Sequence, residues 1–319
     1  MKNKISNIIK NLDPKIFGVN IIKINSFRKL GIGESNLNYI LNISNKKFLC
    51  RINMDLEMKD KLKKEYNNLK KIQKLKISPK PIYFNKSPEF TIIEYLEGKP
   101  LKKNIKITES QIKNLAKIVA KMHRIKISNM KKEEHTYKYY FDESKDYFKY
   151  IKKYTNKIPK ELKKTNEILK KIVPKKENKK IGLIHGDICP QNVIETGKHI
   201  NLIDWESVKM SETAKDIANI FVNFKLNKKE TQLFVKEYQI IKKDETILQR
   251  TKKHEVLLRY LFMLWEIVRT LEIINKYLPQ EYLKKTTPEE HIKEAKKQYR
   301  ELKKLIDVPE INVEEIIKK

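Results

Sequence analysis

An α+β chain in two lobes is the fold the sequence predicts: a small mixed β-sheet lobe over residues 1–97, then a larger, mainly helical lobe over 98–319. Three observations carry this. Residues 21–52 alternate apolar and polar, the period-2 pattern of half-buried strands. Beyond residue 108 apolar positions recur at three- and four-residue spacing, the period of helices that face a core. The change falls at "EGKP", residues 97–100, where Gly and Pro interrupt both patterns.

Taken in order, "KLGIGESNLNYILNISNKKFLCRIN" reads as a strand, a glycine turn, a second strand, a polar turn at Ser44–Lys47 and a third strand. Residues 57–76 place Leu62, Tyr66, Leu69 and Ile72 at helical spacing. "PKPIYF" and "FTIIEYL" are two further short strands. Thr108 and Gln111 form a capping box ahead of Ile112, Leu115, Val119 and Met122. Residues 136–172, rich in Tyr and Lys, read as helical. A strand-like island follows at 181–205, with a tight turn at Thr196–Gly197, and the chain is helical from Thr213 on. Thr287-Pro288-Glu289-Glu290 opens another helix, a capping box with Pro at the first helical position.

The 319 residues are 39% apolar, enough for a real core. Lys and Arg number 71 against 40 Asp and Glu, a net charge of +31. Such a balance raises nucleic acid or an anionic membrane surface as partners. The lysines, however, are spread over nearly every helix-like segment, as solvated faces are. Only residues 137–154 interleave lysines with aromatics as base stacking requires, and the buried stripe of a helix explains that segment equally. A nucleic-acid-binding protein is therefore the reading from another class, resting on charge alone. Cys50 and Cys189 form no disulfide framework or zinc spacing. The first 15 residues lack the apolar region of a signal peptide, and Arg259, Glu266 and Arg269 interrupt the most apolar stretch. A soluble, cytoplasmic protein is expected; oligomeric state is not predicted.

The chemistry concentrates in "LIHGDICPQNVIETGKHINLIDWE", residues 183–206. Asp187 is followed five residues on by Asn192 and twelve later by Asp204, with apolar runs between. A hairpin of short strands returns Asp204 to the loop that holds the other two. Magnesium takes hard oxygen ligands and usually only one or two from protein, leaving room for phosphate oxygens. Asn192 and Asp204 meet that demand as metal ligands. Asp187 is then free to orient a hydroxyl and accept its proton, and phosphoryl transfer requires little more.

These motifs resemble the aminoglycoside phosphotransferase and choline kinase superfamily, which has a protein-kinase-like fold. "HGDICPQN" matches the catalytic-loop pattern H-x-D-x-x-x-x-N, and "IDWE" stands where kinases carry D-F-G. "GIGESN" resembles the family's shortened glycine loop, which implies that Gly31, Gly33, Ser35 and Asn36 approach the phosphates. "FLCRIN" resembles the third strand, with Arg51 in the place of the phosphate-pairing Lys and Glu65 on the next helix as its ion-pair partner. "IIEYLEG" resembles the hinge, which implies that the Glu94 carbonyl and the Leu96 N–H hold adenine. Asp216 in "KDIANIF" resembles the helix-borne Asp that braces the catalytic loop, and His185 the family's bracing histidine. The resemblance runs from about residue 25 to 225 with the motifs in the family's order. "GIGESN" alone suits an ordinary hairpin turn, and Arg51 and Glu65 alone suit surface charges; the catalytic loop and "NLIDWE" are the specific part.

The implied cofactors are ATP, with GTP as the open alternative, and Mg2+. Cys189 and Gln191 stand where many relatives have His and Gly, which loosens any transfer of substrate detail. Only eleven residues separate Asp204 from Asp216, too few for a peptide-docking activation segment, so a small-molecule hydroxyl acceptor is expected over a protein. "DWE…DIANIF" looks most like choline and ethanolamine kinases. A cationic amino alcohol would meet Glu206 and a wall of aromatic rings and a carboxylate drawn from Trp205, Tyr260, Trp265 and Glu266. Aminoglycoside, sugar, thiamine and homoserine kinases, and an atypical protein kinase, are the alternatives.

Overall fold

The computed structural model describes residues 2–318 except 33–35, 54–59, 103–104, 134, 174–179, 198, 279–282 and 284–285. The chain divides into two compact units, Met1–Met122 with His185–Val208, and His123–Ile184 with Lys209–Lys319.

The first unit is built on a five-stranded sheet of order β1-β2-β3-β5-β4: β1 Ile24–Ile32, β2 Asn36–Ile43, β3 Lys46–Asn53, β4 Pro81–Lys86 and β5 Glu89–Glu94. The sequence suggested a mixed sheet, but every pairing in it is antiparallel. The reason is local. β2 and β3 are joined by a tight turn, as are β4 and β5, and β4 takes its place on the far side of β5. Ser44 and Asn45 both take positive φ (45° and 68°), the backbone of a two-residue hairpin turn whose twist matches that of the strands.

Along β3, Phe48, Cys50 and Ile52 are buried and alternate with Arg51, which the strand's period of two sends to the other face. The buried set joins Phe27, Leu41, Ile43, Phe90 and Ile92 in one core. Ile5 and Ile9, from a helix not anticipated in the sequence (α1, Lys2–Lys10), complete it. Fully burying each isoleucine contributes roughly 1.5–3 kcal/mol. Ser44 ties this leading segment down by donating to the Ile21 carbonyl at 2.6 Å.

Arg51 points toward the side of the sheet served by α2, Lys61–Ile72. Asp60 starts that helix without a side-chain cap. Glu89 of β5 supplies the cap instead, accepting from the Leu62 N–H at 3.1 Å and the Lys63 N–H at 3.4 Å. A carboxylate at a helix N-terminus also opposes the helix dipole favourably. β6 (Lys99–Pro100), β8 (Val193–Thr196) and β9 (His199–Leu202) form a three-stranded sheet in the same unit. Helix α3, Glu109–His123, opens with the expected capping box: Gln111 N–H to Thr108 Oγ1 at 3.2 Å, and Thr108 N–H to Gln111 Oε1 at 2.9 Å.

The second unit is mainly helical: α4 Lys138–Thr155, α5 Lys160–Ile172, α6 Ala214–Asn223, α7 Lys228–Ile241, α8 Ile247–Ile274, α9 Pro288–Lys303 and α10 Val313–Ile317. The capping box at Thr287 and Glu290 opens α9 as the sequence predicts. α8 is buried on most of its circumference and packs against α4, α6 and α9, which is why its sequence is apolar almost throughout. Among the described residues no helix is long and apolar enough to cross a membrane. β7 (Ile181–Ile184) pairs antiparallel with β10 (Lys209–Glu212), a strand the sequence does not signal.

A buried ionic network ties β10 to α8. Arg250 donates to Glu212 at 3.2 Å and, through two nitrogens, to Asp244 at 3.0 and 2.7 Å; Lys180 Nζ lies 3.1 Å from Asp244. Burial alone raises the Asp244 carboxyl, but the hydrogen bonds and charge of Arg250, then of Lys180, hold it at about 2. An acid held below its unfolded value contributes stability that is present above pH 4 or so and lost as pH falls toward 2. We expect the melting temperature to drop across that window in wild type and to drop less in Asp244→Asn, which starts lower at neutral pH. Thermal denaturation between pH 5 and 2.5 checks this; parallel curves for the two proteins would refute it.

Candidate active site

The site grows from two turns of the first unit. Between β7 and β8 the chain runs through His185-Gly186-Asp187 to a 3-10 turn at Pro190–Asn192. After β9 it turns again at Asp204, and a second 3-10 turn covers Trp205–Ser207. Ile203 N–H donates to the Asn192 carbonyl at 3.0 Å, which brings Asp204 to the loop that holds Asp187.

His185 locks the two turns with both ring nitrogens. Its Nε2–H donates to the Ile203 carbonyl at 3.0 Å. A carbonyl cannot donate, so Nε2 carries the proton and Nδ1 is left to accept from the Asp187 N–H, at 3.3 Å. The imidazole also packs on Trp205, with ring centroids 4.5 Å apart. This is a brace, with no ring nitrogen left for proton transfer. Gly186, at φ +89°, passes so close to the other turn that a Cβ there would lie 2.9 Å from the Ser207 carbonyl oxygen. Only glycine fits both the conformation and the approach.

Asn192 is buried and donates from Nδ2 to Asp187 Oδ2 at 2.9 Å and to the Asp187 carbonyl at 3.0 Å. With its nitrogen so engaged, its oxygen is turned away from Asp187. Asp187 keeps accessible surface, as a group that meets a substrate must. It nevertheless stands among enough protein atoms that lost solvation is the largest influence on its carboxyl. That raises it, the charges of Asp204 and Glu206 add to the rise, and His185 and Asn192 oppose it.

Asp204 adopts left-handed backbone angles, φ 66° and ψ 63°. Its Oδ1 is buried without a hydrogen-bond partner, and Arg51 Nη2 stands 3.7 Å off. A buried carboxylate oxygen with no hydrogen bond and a cation only at 3.7 Å is incompletely satisfied. A hard divalent cation held by Asp204 and the Asn192 oxygen fits, with the remaining ligands left to phosphate and water. Among the described residues no three His, Cys, Asp or Glu side chains are grouped to hold a metal on their own.

Arg51, half-buried, pairs with both carboxylate oxygens of the buried Glu65 on α2. Burial pushes the Glu65 carboxyl up to about 7 against the pull of Arg51. Asn36, also buried, is the first residue of β2 and stands opposite Asn53; Gly31, in β1, stands opposite Asn38. Gly33 and Ser35 lie outside the described residues. Glu94 ends β5 opposite Phe48, and Leu96 follows it, partly buried. The structure thus brings Arg51, Glu65, Asp187, Asn192 and Asp204 into one set of contacts and leaves Gly31, Asn36, Glu94 and Leu96 on the sheet and its exit. The Cys189 thiol is pushed up to about 12, by burial first and Asp187 second, so it is a protonated filler and no reactive thiolate.

The four side chains proposed for an acceptor wall are engaged elsewhere. Trp205 is fully buried with its indole N–H on the Leu202 carbonyl at 2.7 Å. In the second unit, Tyr260 is buried and donates to the Leu162 carbonyl at 2.7 Å. Glu266 accepts from His291, and Arg269 lies over the Trp265 ring at 5.1 Å. Also in that unit, Asp216 accepts from His123 Nε2 at 3.2 Å, while the Tyr238 hydroxyl donates to His123 Nδ1 at 2.9 Å.

The sequence matches the phosphotransferase enzyme family (APH) over residues 26–244. The chain belongs to that family and is an enzyme, a small-molecule kinase by class. No curated protein matches it. Among solved structures it is similar to the choline kinase of Cryptosporidium parvum, with TM-score 0.71 and 18% identity over 96% of this chain and 95% of that one. It is similar to the choline kinase LicA of Streptococcus pneumoniae, with TM-score 0.63 and 19% identity over 94% and 99%. It is also similar to a spectinomycin phosphotransferase solved with ADP and spectinomycin, with TM-score 0.58 and 16% identity over 93% of each chain. At these identities the likeness is one of fold: α+β and kinase-like, with an antiparallel sheet before a helical remainder.

Proposed function

We propose that this phosphotransferase moves the γ-phosphate of ATP, with Mg2+, to a hydroxyl of a small molecule, and that the acceptor is a cationic amino alcohol of the choline or ethanolamine kind. The observation that carries the reading is the oxygen set on the two turns. Asp187 is bound by Asn192, and Asp204 stands alongside with a buried, unbonded carboxylate oxygen. Asn192 and Asp204 hold the ion through oxygen. Arg51, kept in place by Glu65, steadies the phosphates as a cation that neutral pH cannot discharge. Gly31, Gly33, Ser35 and Asn36 approach the phosphates, and the Glu94 carbonyl and Leu96 N–H hold the base. Asp187 orients the acceptor hydroxyl and takes its proton. The bound Mg·ATP supplies the transferable phosphoryl group and the positive charge that offsets charge developing on it.

We further propose a nucleotide-binding lobe at residues 1–97, a catalytic lobe at 98–319 and a cytoplasmic location. A cationic acceptor is supported by the negative charge that Glu206 sets beside Asp187. With the aromatic candidates engaged elsewhere, charge pairing to Glu206 is its main recognition. Aminoglycosides are polycations that satisfy the same carboxylates, and are the second reading.

The test is transfer of labelled γ-phosphate from ATP into a pool of amino alcohols, aminoglycosides, sugars and amino acids. Label on choline or ethanolamine is the expected result. Label on an aminoglycoside selects the second reading, and label only on neutral sugars refutes the cationic acceptor. Label on protein alone means an atypical protein kinase.

A further inference from the structure

The geometry points to Asn68 as a positioning residue for Asp204; the inference rests on the proposal that Asp204 is a metal ligand. A non-glycine residue leaves the left-handed conformation unless its surroundings hold it there. Asp204, at φ 66° and ψ 63°, is held from its C-terminal side by α2. Asn68, buried on that helix, donates from Nδ2 to the Trp205 carbonyl at 2.9 Å. One turn earlier on the same face stands Glu65, whose carboxyl the Trp205 backbone amide helps to lower against its burial. The backbone of Trp205, the residue that follows Asp204, is thereby held by α2 at its carbonyl.

Other contacts fix different parts of the turn. The Trp205 indole N–H holds the Leu202 carbonyl, and His185 holds that of Ile203. Glu65 has a second duty to Arg51. Asn68 carries no charge, and its bond acts on the backbone that aims the Asp204 carboxylate. A buried carbonyl that loses its donor turns to find another, and the restraint on the Trp205 backbone that helps keep Asp204 in its left-handed conformation goes with it.

The test compares metal binding with nucleotide binding in Asn68→Leu, which keeps the volume and removes the donor. Mn2+ is titrated by electron paramagnetic resonance in the presence of a nonhydrolysable ATP analogue, and analogue affinity is measured without metal. The expected result is metal affinity weakened about tenfold, the size of one lost buried hydrogen bond, with metal-free analogue affinity within about twofold of wild type. Unchanged metal affinity overturns the inference, as does an equal loss in both affinities, which marks a merely structural role. Where Asn68→Leu does not fold, the near-isosteric Asn68→Asp decides. Added negative charge by itself tightens a cation, so looser Mn2+ binding supports positioning and tighter binding overturns it. Asp204→Asn is the control for the underlying reading. If that variant keeps wild-type metal affinity, Asp204 is no ligand and the metal reading itself is wrong; if it loses the metal while Asn68→Leu does not, only the present inference fails.

Discussion

Asp187→Asn is expected to lower the rate of phosphoryl transfer by about 10²–10⁴ while leaving nucleotide affinity close to wild type. Asparagine keeps the shape and an oxygen that can still accept from Asn192 Nδ2, now at 2.9 Å, so the loop has no cause to move. What it loses is the capacity to take the acceptor's proton and the negative charge that orients the hydroxyl. The same exchange removes a carboxylate whose ionised form is disfavoured by lost solvation and by the charges of Asp204 and Glu206. Melting temperature should therefore hold or rise, which separates a catalytic loss from a folding loss. Single-turnover transfer, analogue affinity and thermal denaturation on one preparation check all three. A variant that transfers at the wild-type rate removes Asp187 from its role.

How far such a site is legible in a sequence depends on how local its parts are. The spacing of Asp187, Asn192 and Asp204 is readable because the whole hairpin that assembles them lies within one short segment. The boxes at Thr108–Gln111 and Thr287–Glu290 are readable because each is a contact across one helical turn. Other features depend on distant partners. The cap of α2 comes from Glu89, beyond the helix's own far end. Asn68 is one polar residue in a lysine-rich helix, and its partner is 137 residues away. α1 shows only a short isoleucine repeat, whose worth comes from the sheet it covers. β10 has four residues and no alternation, and it becomes a strand by pairing with β7. The wall candidates illustrate the opposite error. Aromatic and acidic residues near a site attract a binding role by type, yet Trp205, Tyr260 and Glu266 are engaged internally.

Glu65→Ala should be the most destabilising single change in the site, and its consequence should reach the metal. Arg51 is half-buried and has the buried Glu65 as its close partner. Removing one member of a buried ion pair leaves an uncompensated charge and typically costs about 3–5 kcal/mol. Thermal denaturation should register this as a fall of roughly 10 °C. The stranded guanidinium has another carboxylate to turn to, because Asp204 Oδ1 lies 3.7 Å from Nη2 and lacks a hydrogen bond. Closing that gap would tie up the oxygen assigned to Mg2+. The variant should then need more Mg2+ for half-maximal transfer, beyond what lost stability explains. Glu65→Gln separates the two effects. Burial already pushes this carboxyl up to about 7, so a neutral amide that still accepts from Arg51 should cost less stability than alanine and leave Asp204 freer. The expected order for both stability and Mg2+ affinity is wild type, Gln, Ala. If Ala lowers the melting temperature with no change in Mg2+ dependence, Arg51 and Asp204 are not in competition, and the pair with Glu65 serves the fold and the phosphates alone.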